Sequence, residues 1–261
     1  MRERYVGFAT SALQRASKDA ARALTRAAVS LGVLLAALSL GALGGCITSG
    51  PGEYGTSAEV RDLHMGLCAD GLIDDAEDNN SQINTVGGRD GYWFTFKDEL
   101  GSTIDPEGEF HMSPGGAEGS KFAAEMKGKM GAGGQNAFPY VGIGFNLSNP
   151  KLAYDAGKAQ GIQFWAKGPG RIRFKAPDVM TDPVGEKCTA CYNDFGVDIF
   201  LDDKWQRYTV PFSKMEQQPG WGDRAPHIAK DQLFAIQWQF ATASKDYDIA
   251  IDNVALVGCE Q

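Results

Sequence analysis

The chain has 261 residues, with 33 acidic against 25 basic side chains, a formal net charge of −8 and a pI near 5.0. That balance argues against nucleic-acid binding and against adhesion to anionic membrane surfaces. The length allows one sizeable core, and 33 glycines and 11 prolines point to a fold rich in turns.

Residues 1–45 read as a targeting segment. Arg2, Arg4, Arg15, Lys18, Arg22 and Arg26 precede an apolar run over 27–42, which ends in Leu43-Gly44-Gly45-Cys46. A basic region, a short apolar core and small residues make a secretory signal, and the run is short for a membrane span. The Leu-Gly-Gly-Cys ending resembles the lipobox of bacterial lipoproteins. The resemblance implies cleavage before Cys46 and diacylglyceryl attachment to it; the alternative is an ordinary signal followed by a chance cysteine. The signal carries six basic and two acidic residues, which leaves the mature chain at −12. The protein is therefore expected to be exported and lipid-anchored to the bacterial envelope, at the outer membrane or cell surface, touching the membrane only through the lipid at Cys46.

Residues 46–70 hold the lipidated cysteine and a Gly/Ser/Thr-rich stretch without periodicity, read as a flexible tether. From Gly71 to Gln261 the chain reads as one domain. Its strand candidates, separated by Gly, Pro and Asp, are 92–97, 109–113, 121–127, 140–147, 162–167, 171–176, 197–201, 206–212, 233–241 and 247–256. Only 149–157 hints at a helix. Many short strands with turn signals between them predict an all-β, two-sheet antiparallel sandwich.

The segment 159–178 carries the clearest pattern. Ile162, Phe164 and Ala166 alternate with Gln163, Trp165 and Lys167; after Gly168-Pro169-Gly170, Ile172, Phe174 and Ala176 alternate with Arg171, Arg173 and Lys175. Period two gives each strand an apolar and a polar face, and Gly-Pro-Gly is turn chemistry, so the segment reads as a tight hairpin. Its polar face would set Gln163, Trp165, Arg171 and Arg173 on one surface. If strand 233–241 joins the same sheet, Gln237 and Gln239 extend that surface, with Trp93 and Trp221 as walls. A ring among amides and guanidinium groups suits a sugar, whose apolar face stacks while its hydroxyls bond in pairs. The alternatives are a Trp165 packed under a loop and arginines paired with surface carboxylates.

Catalytic motifs are sparse. His64, His111 and His227 lie in unrelated contexts, and there is no nucleophile elbow, zincin motif, P-loop or dinucleotide fingerprint. A carboxylate pair for glycoside hydrolysis stays open in so acidic a chain. With Cys46 lipidated, four cysteines remain. An even number in an oxidising compartment predicts two disulfides, Cys188–Cys191 and Cys68–Cys259, the second stapling the chain ends. The Cys188-Thr189-Ala190-Cys191 pair also fits a redox motif or half a zinc site. The acidic run 73–78 needs a cation or solvent among its carboxylates. First and last strands of a sandwich commonly pair, which would bring Glu77 or Asp78 to Asp252. Glu77 and Asp252, with Asp75 or Asp78, are therefore candidate ligands for a structural Ca²⁺, a hard ion that takes six to eight oxygens.

Five segments together resemble the galactose-binding-like jelly rolls of the family 11 carbohydrate-binding modules: LIDDAED (72–78), GRDGYWFTF (88–96), YDAGKAQGIQFWAKG (154–168), WQRYTVPF (205–212) and YDIAIDNVAL (247–256). The resemblance implies a two-sheet jelly roll, a structural calcium and a concave face that binds β-glucan chains, and Glu77 and Asp252 match the family's acidic positions. Ala76 stands where an aromatic commonly precedes the Glu, Asn79 stands where a Gly commonly follows the Asp, and the loop 188–194 is an addition. The expected function is a non-catalytic, monomeric, glycan-binding lipoprotein for β-glucan-type polysaccharide. The alternative is an envelope structural or protein-interaction lipoprotein on the same fold.

Overall fold

The computed structural model describes residues 60, 61, 63–135 and 137–259. The signal segment, Cys46 and the tether as far as residue 59 lie outside the described residues. Those that are described fold as two antiparallel sheets. The strands are β1 (Leu67–Asp74), β2 (Trp93–Lys97), β3 (Thr103–Asp105), β4 (Ser113–Pro114), β5 (Phe122–Lys129), β6 (Val141–Asn146), β7 (Gly161–Lys167), β8 (Arg171–Ala176), β9 (Phe195–Phe200), β10 (Gln206–Pro211), β11 (Ala235–Phe240) and β12 (Asp246–Val257). A seven-stranded sheet runs β10-β7-β12-β5-β3, with β1 added on β12 and β4 on β5; a five-stranded sheet runs β2-β6-β11-β8-β9. The predicted sandwich is the observed architecture.

The hairpin reading of 159–178 is corrected. β7 pairs with β10 and β12, whereas β8 pairs with β11 and β9, so the two strands lie in opposite sheets. Gly168 and Gly170, at φ +149 and +74, turn the chain from one sheet to the other. The alternation itself is as read: Phe164 and Phe174 are fully buried, and their rings stack across the core with centroids 4.8 Å apart. Period two specifies which side chains point inward. It does not say whether two successive strands lie side by side or face to face.

Smaller differences have similar causes. β3 is short and carries one buried residue, Ile104, too little for a visible pattern. Of 109–113 only Ser113 is strand, and 149–157 is irregular. In the stretch read as tether, Val60 is buried, Arg61 bridges Tyr208, and β1 begins at Leu67.

The core is aromatic. Trp238 is fully buried and meets Phe164, Phe174, Phe145 and Trp93 at centroid distances of 5.2–6.0 Å. Fully burying side chains of this size stabilises by roughly 1.5–3 kcal/mol each. Two polar devices fix the chain ends. β1 and β12 pair antiparallel, and the Cys68–Cys259 disulfide joins them across 191 positions. Arg89, 1% exposed, donates to the carbonyls of Asp70 and Leu72 and to the Tyr154 hydroxyl, each at 2.8 Å.

Candidate functional site

On the five-stranded sheet the register aligns the outward side chains into rows. One row is Phe94, Gly144, Gln237, Lys175 and Gly196; the next is Phe96, Gly142, Gln239, Arg173 and Asp198. Across five strands at about 4.8 Å spacing, each row is about 19 Å long. At the β2 end the rings form a ribbon: Phe94 to Phe96 is 6.1 Å and Phe96 to Tyr140 is 6.3 Å between centroids. Glycines on β6 let this ribbon lie down. A Cβ on Gly142 would meet the Phe96 ring at 2.0–2.6 Å, so the ring edge occupies the space above that backbone. Beyond the glycines stand Gln237 and Gln239, both half-buried, whose amides have no protein hydrogen-bond partner among the described residues.

Asp98 holds the ring end in place. Its carboxylate accepts from Tyr140 N at 2.6 Å, Ser102 Oγ at 2.6 Å and Leu100 N. Burial alone would raise its pKa, but these donors outweigh burial and hold the carboxyl below the usual carboxylate range.

The β9 end is charged and closed. Arg173 is 9% exposed, donates to the carbonyls of Glu216 and Asp194, and pairs with Asp198 at 3.4 Å. Arg171 also pairs with Asp198, at 3.5 Å, and Lys175 pairs with buried Asp194 at 2.9 Å. The added loop forms a wall here. Thr189 N and Ala190 N donate to Asp223 Oδ2 at 2.6 and 3.1 Å, and Asn193 Nδ2 donates to the carbonyls of Gln218 and Trp221. The Cys188–Cys191 disulfide closes that loop. Trp221 sits half-exposed on the wall, with its Nε1 donating to Gln218.

The six-residue polar platform expected from the sequence therefore divides. Arg171, Arg173, Gln237 and Gln239 share the outer face of the five-stranded sheet, while Gln163 and Trp165 stand on the outer face of the other sheet. Trp93 is no wall. It is 4% exposed, stacks on Trp238 and Phe110, and its indole N–H donates to Asp74. It points inward because it lies one residue before Phe94 on a period-two strand. The rings that do face outward are Phe94, Phe96 and Tyr140; alternation within WFTFK carries the signal for the two phenylalanines, whereas Tyr140, just before β6, has none.

On the seven-stranded sheet the structure brings Glu77 and Asp252 together. Glu77 Oε1 accepts from Ser120 Oγ at 2.8 Å, Lys121 N at 2.6 Å and Phe122 N at 3.2 Å; Asp252 Oδ2 accepts from Ala117 N at 2.7 Å. Asp252 is 2% exposed, and burial first, with repulsion from Glu77 adding, pushes its pKa up to about 6. A Cβ on Gly116 would meet Phe122 O and Ser120 Oγ at 2.4 Å and Asp252 Oδ2 at 2.5 Å, so three oxygens from two segments converge beside Gly116. That all-oxygen set fits the donor chemistry of calcium. Asp75 and Asp78 do not join it. Their carboxylates cap Glu77 N and Asn80 N in the same turn. Among the described residues no group of three or more His, Cys, Asp or Glu is gathered as a metal site.

No family model matches the chain, and no curated protein matches it. Solved structures do. The family 11 carbohydrate-binding module of a cellulosomal cellulase from Clostridium thermocellum is similar at a TM-score of 0.50 and 19% identity, over 76% of this chain and 98% of that one. The likeness is in the two-sheet jelly-roll fold. A family 11 module from Clostridium thermocellum in complex with a β-1,3-1,4-mixed-linked tetrasaccharide aligns at a TM-score of 0.47 and 19% identity, over 65% of this chain and 90% of that one. A family 30 carbohydrate-binding module aligns at 0.43 and 10%, over 63% and 98%. At such identities the likeness is one of fold, and function rests on the site.

Proposed function

We propose that this chain is a non-catalytic glycan-binding lipoprotein of the cell envelope, holding β-glucan-type polysaccharide on the outer face of the five-stranded sheet. One observation carries the reading: a ring ribbon, Phe94-Phe96-Tyr140, faces two amides without protein partners, Gln237 and Gln239, across glycine-lined β6. The rings stack on the C–H face of a pyranose and the amides bond its hydroxyls. Arg173 is spoken for by Glu216, Asp194 and Asp198, so it shapes the far end of the strip more than it reaches out. The β-glucan class comes from the resemblance to family 11 modules. Cys46 carries the lipid, and the protein acts as a monomer. A calcium ion held by Glu77 and Asp252, when bound, supplies positive charge to the buried Asp252 and the exposed Glu77 and ties the 116–122 loop to β12; it takes no part in sugar recognition on the five-stranded sheet.

Calorimetric titration of the full chain with a mixed-linkage β-glucan tetrasaccharide, and with xylan and mannan oligomers, tests the reading. Heat with the β-glucan, weakened in Phe96→Ala and in Gln239→Ala, supports it. No heat with any glycan removes it in favour of the protein-interaction reading.

A further inference from the structure

The outer face of the seven-stranded sheet is crossed by the 115–121 loop, yet beside that loop a pocket of about 540 Å³ stays open. Its size lies within the range of small-ligand sites, roughly 300–1,000 Å³. It exists because two strands bulge together. β12 slips register against β7 between Asp252 and Ala255, with Asn253 at φ +50, and β1 slips against β12 between Leu67 and Leu72. The slips open a gap in the side-chain layer whose floor is the methyl group of Ala255.

Chemistry divides around this floor. Trp165, with Leu67 and Leu72, supplies an apolar side; Gln163, Asn253 and Ser120 supply polar groups. The Trp165 indole N–H and the amides of Gln163 and Asn253 have no protein hydrogen-bond partner among the described residues, although all three side chains are half-buried. Half-buried donors and acceptors left open to one pocket, beside an indole ring, match the needs of a sugar ring. The rim is one-signed. Asp75, Glu77 and Glu118 line it, and no Lys, Arg or His does among the described residues. Carboxylates accept hydroxyl protons and repel an anionic ligand.

We infer that this pocket is a second saccharide site, separate from the ring ribbon, that takes a single neutral pyranose residue or chain end, with Trp165 as its stacking platform and Gln163 and Asn253 as its hydroxyl partners. The inference rests on the reading of the chain as a glycan binder and not on the five-stranded face. Because the two sites lie on opposite outer faces, one molecule can hold two chains, or two points of one long chain.

The test uses the full chain, a mixed-linkage β-glucan tetrasaccharide, methyl β-glucoside and methyl β-glucuronide, with calorimetry and indole fluorescence as readouts. The expected result is two binding events for the tetrasaccharide. Trp165→Ala weakens one of them by about tenfold or more, a stacking energy of this kind converted to affinity. Trp165→Phe, which keeps a ring, retains most of it, and this variant separates a lost platform from a disturbed fold. Phe96→Ala with Gln239→Ala weakens only the other event, so a failure of the first site is read from that pair alone. A stoichiometry of one with Trp165→Ala unchanged from wild type overturns the second site. Glucuronide bound as tightly as glucoside overturns its assignment to neutral sugars.

Discussion

On the outer face of the five-stranded sheet, Phe94 and Phe96 of β2 and Gln237 and Gln239 of β11 stand half-buried on either side of β6, and the glutamine amides have no protein partner among the described residues. On the outer face of the seven-stranded sheet, Asp252 faces the same way from its strand yet is 2% exposed, because the 115–121 loop folds over it and donates Ala117 N. Both faces come from period-two strands. What separates these two places is whether a neighbouring segment satisfies the outward polar groups; at Gln163, Trp165 and Asn253 the seven-stranded face also leaves them without a protein partner among the described residues. Outside the Trp165 pocket the seven-stranded face thus works for stability: it holds the chain ends, the Cys68–Cys259 disulfide and the loop that donates to Glu77 and to Asp252. The five-stranded face leaves hydrogen-bonding capacity unused and is free to bind. On that division, substitutions at the chain ends and at Glu77 and Asp252 of the seven-stranded face should move melting temperature, and substitutions on the five-stranded face, like those at the Trp165 pocket, should move affinity.

The largest effect should come from the staple. Cys68→Ser with Cys259→Ser opens a loop spanning 191 positions, worth about 5 kcal/mol on the chain-entropy model. Denaturant unfolding measures it, and glycan affinity at low temperature should stay close to wild type. A variant that loses affinity while keeping its stability would reverse the division.

Asp74, at the end of β1, gives the next effect. Burial dominates and pushes its pKa up to about 6, despite the Trp93 indole and Ala76 N–H donors. A raised acid holds its proton more tightly in the folded state, so stability falls as pH rises from about 4, the unfolded value, to about 6. The size is up to about 3 kcal/mol. Melting curves of Asp74→Asn should lack that slope. Asp98, at the ring end of the other sheet, works with the opposite sign: its lowered pKa gives stability that is present above about 4 and lost as pH falls below it. Asp98→Asn should therefore flatten the acid limb and loosen Tyr140.

Calcium comes third. Saturation at a hundredfold excess over Kd stabilises by about 2.7 kcal/mol, so EDTA should lower the melting temperature of wild type and leave Glu77→Gln with Asp252→Asn unaffected. Equal melting of wild type with EDTA and with added Ca²⁺ would remove the ion from the account of this face.

The smallest effects belong to the binding strip. Phe96→Ala should cost about 1 kcal/mol or somewhat more in β-glucan affinity, from lost stacking and burial, with little change in melting. Gly142→Val should act similarly, since its side chain would occupy the space the Phe96 ring now fills.

How much of this was legible in the sequence depended on the distance over which the information acts. Alternation within Ile162–Lys167 and Arg171–Ala176 assigned the inward side chains correctly. The disulfide pairing was legible because four cysteines besides Cys46 left few options, and the approach of Glu77 to Asp252 followed from the pairing of first and last strands. The candidate site was read less well. Trp165 and Arg173 read as neighbours across a turn, and Trp93 reads as a wall, yet it is buried against Trp238 and Phe110. The adjacent phenylalanines of the same strand, one step out of phase, carry the outer face instead.

The sequence by itself determined the fold class, which residues of strands such as β7 and β8 face the core, the two disulfides and the absence of a recognisable catalytic motif. These follow from local periodicity, composition and cysteine count, which act over a few residues or over the whole chain. Only the tertiary structure decided that Gly168-Pro169-Gly170 crosses between sheets, that Phe94, Phe96, Gln237 and Gln239 share one row system, and that Trp165 stands with Gln163 on the far side. Those outcomes depend on which strands pair, and pairing is set by long-range packing of the whole core, for which a strand's own pattern carries no address.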